Sequence, residues 1–269
     1  MGTKLEAGIS MLQTATMRVL ALDTTTRAGS VALVEDAQVI EERAGDPART
    51  HAERLPRDIH ALLDDRGLAS ADVDLFAVAS GPGSFTGLRI GIATMQGLAF
   101  VHRRRIVPVS ALEALAWIAS GGAVGKGALV AAWMDAQRRD VFSALYRLVS
   151  APPVDQEQLI EVDEPRVGDP AATLDRWDPL VRGHLLTFIG DGATAWAGVI
   201  RGRHPDAPVI EHPLLAGAIG RLAAARAARG AAIDPAGVRP LYVRRPDAEI
   251  ERDRKAFATN DANDAKKGP

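Results

Sequence analysis

From Arg18 onward, short runs of aliphatic and β-branched residues alternate with polar or glycine-containing turns. The pattern predicts three strands in succession, over 19–22, 30–34 and 38–42. Leu55, Ile59, Leu62 and Leu63 then recur at helical spacing and give one apolar face to a helix over about 51–66. A strand over 73–79, a glycine-rich turn at Gly81 and Gly83, and a helix over about 84–101 follow. The order is βββαβα, with the first three strands forming an antiparallel meander.

A strand over 105–109 and a helix over 111–119 lead to Gly121, Gly122, Gly125 and Gly127, which read as a linker. The pattern then begins again. Strands are expected over 129–134, 141–149 and 158–162, a helix over 170–177, a strand over 185–189 and a helix over 193–200. A strand near Val209, an alanine-rich helix over about 214–228 and an extended piece over 241–243 complete the second half. Duplicated βββαβα units are the plan of the two-lobed ribonuclease-H-like and actin-like ATPase (ASKHA) class of α/β folds, in which the lobes face each other across a cleft. A doubly wound α/β fold is the alternative, and it accounts less well for three consecutive opening strands. The expected division is an extension over 1–17, a first lobe over 18–112, a second lobe over 113–245 and a tail over 246–269. The tail is charged and almost free of large apolar residues, so burial cannot offset the cost of ordering it; it and the extension are expected to be disordered.

Composition narrows the function classes. Of 269 residues, 32 are Lys or Arg and 34 Asp or Glu, giving a net charge of −2 without the basic excess of a protein that grips phosphates alone. The absence of cysteine removes disulfides, thiolate metal sites and cysteine nucleophiles, and it fits a reducing compartment. No apolar run is long enough to cross a membrane. Neither HExxH nor GxSxG occurs, which leaves a protease reading without its usual groups.

Two segments carry candidate chemistry. Asp23, Thr24, Thr25 and Thr26 end the first strand, with Gly29 before the second. A carboxylate and hydroxyls at a hairpin mouth suit a phosphate and its hydrated magnesium; equally, such side chains bond their own backbone. Residues 81–89, Gly-Pro-Gly-Ser-Phe-Thr-Gly-Leu-Arg, run from strand into helix, where free N–H groups and the helix dipole favour an anion and Ser84 is a natural N-cap. The lysine of a Walker A loop is missing. The third glycine also comes one residue too late for the dinucleotide fingerprint, and no acidic residue closes the next strand.

Gly83, Gly87 and Gly91 stand four apart and line one helical stripe, so close backbone packing is the favoured role of this segment. Phe85, Leu88, Ile92, Met95 and Ala99 form a second stripe, expected in the core, any exposed part of which would serve a partner helix. His51 begins its helix with Leu55 and Ile59 at the positions where a second metal ligand would stand, so a local metal pair is absent. Asp135, with Arg138, Arg139 and Asp140 in the following turn, mirrors Asp23 in the duplicated plan; a solvated turn is the favoured reading.

The strings over 20–26 and 30–33, His51, and above all Ser80 through Gly91 closely resemble the TsaB (YeaZ) family, a resemblance that extends through 96–99 and 107–110 and more loosely through 134–137 and 240–244. It implies an actin-like fold and a non-catalytic relative of the transferase TsaD. The two metal-binding histidines of TsaD fall on Ala111 and Leu115 here, so the resemblance implies no metal or cofactor of the chain's own, with ATP or ADP and magnesium belonging to the complex. It further implies a cytoplasmic subunit that supports TsaD, with the ATPase TsaE, in forming N6-threonylcarbamoyladenosine at position 37 of tRNAs reading codons that begin with A. The expected partner interface is the helix from His51 and the helix after Ser84: His51, Leu55, Ile59, Leu62, Phe85, Gly87, Leu88, Gly91 and Met95. Self-pairing of the free protein through the same surface is also implied. Transfer RNA is expected to be held through the complex, any direct binding being weak and salt-sensitive. A degenerate nucleotide or phosphate site would use Asp23, Thr24, Thr25, Gly83 and Ser84. The competing expectation is an actin-like ATPase or kinase acting alone through Asp23, Asp135 and the Gly-Pro-Gly turn.

Overall fold

The computed structural model describes residues 16–121, 127–151 and 156–244. Strands β1 (Arg18–Asp23), β2 (Ser30–Glu35) and β3 (Gln38–Ala44) form the opening meander, followed by α1 (His51–Asp64), β4 (Leu75–Gly81), α2 (Phe85–Val101) and β5 (Arg105–Ser110). Helix α3 (Ala111–Ser120) leads into β6 (Leu129–Asp135), β7 (Val141–Ala151), β8 (Gln156–Gly168), α4 (Pro170–Val181) and β9 (Leu186–Ile189). The chain continues through α5 (Asp191–Ala195), α6 (Ala197–Arg203), β10 (Val209–Ile210) and α7 (Ala216–Ala228). The strands form two five-stranded sheets, ordered β3-β2-β1-β4-β5 and β10-β9-β6-β7-β8. In each sheet the meander strands are antiparallel and the later strands parallel to the first, so both halves share one topology. This is the duplicated βββαβα plan of an actin-like fold.

Side-chain alternation sorts the core into layers. Val19, Ala21, Leu75 and Ala77 of the first sheet and Val130, Ala132 and Met134 of the second face a middle layer made by α3 and α7. The opposite face of the first sheet, with Leu20, Leu22, Phe76 and Val78, is covered by α1 and α2. The opposite face of the second packs Trp133 and Phe188, ring centroids 5.4 Å apart, against Trp177 of α4 and Ile200 of α6. The middle layer is tight because α7 is built from small residues: a Cβ on Gly220 would stand 2.6 Å from Val34 Cγ2. Helix α7 packs on β1, β2 and β4 of the first sheet, which differs from its expected grouping with the second lobe.

Helix starts follow the polar residues before them. Thr50 and Glu53 form a reciprocal capping box at α1, and Asp169 accepts from the Ala172 N–H with Pro170 at the first position of α4. Helix α7 has no cap of its own; Ser30 Oγ accepts from the Leu215 and Ala216 N–H groups at 3.3 and 3.0 Å, and Glu42 accepts from Gly217 N–H at 2.8 Å. The helix expected over 193–200 is instead two, broken at Trp196, whose backbone leaves the helical region. The strand expected over 158–162 is the longer β8, and the piece expected to be extended over 241–243 joins no sheet and bends at Val243.

The expected disorder of 1–17 and 246–269 concerns stretches outside the described residues, apart from Thr16 and Met17. Met17 is tied to the β2–β3 turn: its N–H donates to Asp36 Oδ1 at 2.9 Å. Of the expected glycine linker, Gly122 and Gly125 also lie outside the described residues. Among the described residues no helix is long and apolar enough to cross a membrane.

Candidate functional site

The β1–β2 hairpin and the Gly-Pro-Gly turn meet at one end of the first sheet. Gly81, at φ +116°, ends β4, and Gly83 follows so close to the hairpin that a Cβ on it would stand 2.5 Å from Thr25 Cβ. The next two glycines of the stripe continue this approach: a Cβ on Gly87 would lie 2.2 Å from the Thr24 carbonyl oxygen, and one on Gly91 2.2 Å from Thr24 Oγ1. The Ser84 N–H donates to the Thr25 carbonyl at 2.8 Å, while its Oγ caps α2 by accepting from Gly87 N–H. The glycine stripe thus serves backbone packing, as its spacing predicts.

That packing encloses the hairpin side chains. Asp23 and Thr24 are buried and do not line the cleft; Asp23 Oδ1 accepts from the backbone N–H and the hydroxyl of Thr25 at 2.8 and 2.7 Å. Burial pushes the Asp23 carboxyl above its ordinary range, against the pull of the two Thr25 hydrogen bonds. The expected metal-phosphate arrangement is therefore corrected: Asp23 is turned inward, its oxygen taken by its own hairpin, and only Thr25, Gly83 and Ser84 of the five residues reach the cleft.

His51 closes the hairpin from the other side. Arg54, itself buried, donates to His51 Nδ1 at 2.9 Å, so the ring hydrogen sits on Nε2 and is donated to the Thr26 carbonyl at 3.0 Å. The same guanidinium donates to the Ala28 carbonyl and pairs with Asp58 at 2.5 Å. Burial, then the charge of Arg54, lower the His51 pKa and hold the ring neutral.

Between the two hairpins lies an open cleft of about 1250 Å³. Its far wall repeats the near one: Gly190, at φ +118°, follows β9 as Gly81 ends β4, and Gly192 lies against Met134 and Asp135 as Gly83 lies against Thr25. Asp135 is exposed, with Oδ1 and Oδ2 accepting from the backbone and side chain of Gln137 at 2.8 and 2.7 Å, which is the solvated turn. The lining also includes Arg27, Arg49, Arg89, Arg138 and Arg244. Arg89 lies 3.9 Å over the Phe85 ring, and its Nε donates to Tyr242 Oη at 2.9 Å. Asp191, Tyr242 and Arg244 were not legible as site residues. Only the Gly190-Asp191-Gly192 echo of the Gly-Pro-Gly turn signalled the first of them.

The expected interface residues divide by burial. Leu55, Ile59, Leu62, Leu88 and Met95 are between 0 and 5% exposed, Gly87 and Gly91 are pressed on Thr24, and His51 is bonded inward. They form the inner faces of α1 and α2, which corrects the expectation that they face a partner. Of that set, Phe85 alone is exposed. The outward seam of α2 is instead Thr86, Ile90, Ala93, Gly97 and Phe100, spaced four, three, four and three, with Ile90 half-buried against the core, Phe100 79% and Val101 72% exposed.

A model of the TsaD family, tRNA N6-adenosine threonylcarbamoyltransferase, matches residues 42–164. The tRNA threonylcarbamoyladenosine biosynthesis protein TsaB of Bacillus subtilis is 34% identical over 131 residues, 49% of this chain and 56% of that protein. The match thus spans little more than half of that curated relative. Two solved structures from Pseudomonas aeruginosa cover more. One, a protein with similarity to peptidase YEAZ, is 33% identical over 85% of this chain and 100% of its own, with a TM-score of 0.69. The other, YeaZ, is 32% identical over 84% of this chain and 99% of its own, with a TM-score of 0.68. With the same duplicated topology and a third of its residues identical across the whole of a solved relative, the chain belongs to the TsaB (YeaZ) family.

Proposed function

We propose that the chain is a non-catalytic subunit that binds and supports a TsaD-type transferase, together with a TsaE-type ATPase, in forming N6-threonylcarbamoyladenosine at position 37 of tRNAs reading codons that begin with A. The observation that carries this reading is the two-faced α2. Its inner stripe completes the core through Leu88, Ile92, Met95 and Ala99, yet its outer seam is also apolar. A helix with an apolar stripe on each of two faces is a helix with something on both sides. The four-three spacing and the small Ala93 and Gly97 at the seam's centre suit a second helix at close range, with Phe100 and Val101 as anchors at one end. Helix α1 beside it turns the polar and charged Glu53, Arg57, His60 and Asp64 outward. Its apolar residues serve the chain's own core.

The cleft supports the same reading. The buried Asp23 and the self-bonded Asp135 leave the two hairpin carboxylates engaged in their own turns, and Ala111 and Leu115 are wholly buried in α3. In this reading, transfer chemistry resides in the partner, and this chain supplies surface. Titrating the purified chain with a TsaD-type subunit in a calorimeter tests the proposal. Binding is expected, and Phe100→Asp is expected to weaken it at least about tenfold, the scale of a lost interface anchor. Equal affinity of the variant would remove α2 from the interface, and no binding by the parent chain would overturn the reading.

A further inference from the structure

Residues 241–244 cross the mouth of the cleft. The Leu241 N–H donates to the Ser80 carbonyl at 2.7 Å, and the Tyr242 ring packs on Phe85 with centroids 5.2 Å apart while its hydroxyl accepts from Arg89. Two residues later the chain reaches the second lobe. Arg244 Nη1 donates to the Ala136 carbonyl at 2.6 Å, Nη2 pairs with Asp140, and the guanidinium carbon lies 5.9 Å from the Phe142 ring centroid. One short segment is thus fastened to the start of α2 and to the β6–β7 turn.

We propose that this segment is a clasp that sets the aperture of the cleft, with Tyr242 as its anchor and Arg244 as its catch. The anchor is a backbone hydrogen bond, a ring contact and a hydroxyl contact, all within the first lobe. The catch is a solvent-reachable pair, the Arg244 and Asp140 side chains being 21 and 34% exposed, backed by one carbonyl contact and the more distant Phe142 ring. Salt or a competing anion weakens the catch before the anchor, because screening acts on exposed charge and leaves ring packing untouched. Opening then pivots on the α3/α7 layer, which also joins the two sheets. The clasp ties the start of α2 in one lobe to the hairpin of the other.

Spin-label distance measurement tests this directly, because the chain has no cysteine of its own to interfere. Labels placed at Ala52→Cys on α1 and Ala195→Cys on α5 sit at exposed alanines of the two lobes. The otherwise unchanged chain is expected to give one narrow distance. Arg244→Ala and the milder Asp140→Asn are each expected to broaden and shift it, as is raised salt, while Arg182→Ala, at an exposed site that makes none of the clasp's contacts, leaves it unchanged. Circular dichroism confirms that each variant is folded before its distance is read. A distribution that stays narrow and unshifted in Arg244→Ala and Asp140→Asn would overturn the proposal, as would a broad one in the parent chain.

Discussion

Gly87 and Gly97 lie on the same helix and meet opposite surroundings. A methyl group on Gly87 would enter the Thr24 carbonyl, whereas one on Gly97 would meet nothing within 4 Å. Gly87→Ala is therefore expected to cost about 1–3 kcal/mol, the usual penalty of overpacking. Gly97→Ala should add roughly 0.5–1 kcal/mol by reducing backbone freedom in the unfolded chain. Urea unfolding of both variants checks the pair, and loss of stability in Gly97→Ala would contradict an open outer face. Titration separates Asp23 from His51. Because burial raises the folded pKa of Asp23, the native state holds its proton longer than the unfolded one, and stability falls as pH rises from the ordinary carboxylate value through the raised one. Asp23→Asn, which keeps an oxygen for Thr25, is expected to gain on the parent chain as pH rises through that window; a difference that is flat with pH would contradict the buried carboxyl. His51 runs the other way. Its folded pKa is lowered, so its contribution is present above about 6.5 and is lost as pH falls below that value. Histidine resonances followed by NMR should place its titration below the ordinary histidine value of about 6.5. The glycine stripe was legible because four-residue spacing fixes a helix face whatever lies against it. The inward turn of Asp23 was not, since the same Asp-Thr-Thr string suits an open phosphate loop and a closed hairpin.

At the scale of elements, α7 depends on residues far away in sequence. With no local cap, its first N–H groups rely on Ser30 of β2 and Glu42 of β3. Ser30→Ala is expected to cost about 1 kcal/mol, as loss of a helix cap does. Hydrogen exchange should show the first turn of α7 opening faster; unchanged protection there would show that the cap carries no weight. The order of strands and helices was legible because period two and period 3.6 are written directly into the chain. Contacts between distant segments were not: an alanine-rich helix fits against either sheet, and nothing local in 193–200 marks the break at Trp196. The inner stripe of α2 was legible, since the spacing of Leu88, Ile92, Met95 and Ala99 placed them in the core, where they lie; it was the resemblance that put Leu88 and Met95 at a partner interface, and the structure leaves Ala93, Gly97 and Phe100 outside instead.

The whole molecule combines a duplicated two-sheet fold, a cleft whose hairpin carboxylates are turned to structural use, and an apolar helix face left uncovered. The proposed accessory role rests on that combination, and it predicts that the chain contributes binding while a partner contributes the reaction. The direct test is a reconstitution of purified chain with TsaD-type and TsaE-type subunits, ATP, threonylcarbamoyl-AMP and unmodified tRNA, measuring the threonylcarbamoyladenosine formed with and without this chain. Product that requires the chain, is absent with the chain alone and falls with Phe100→Asp is the predicted result. Equal product without the chain would contradict the account.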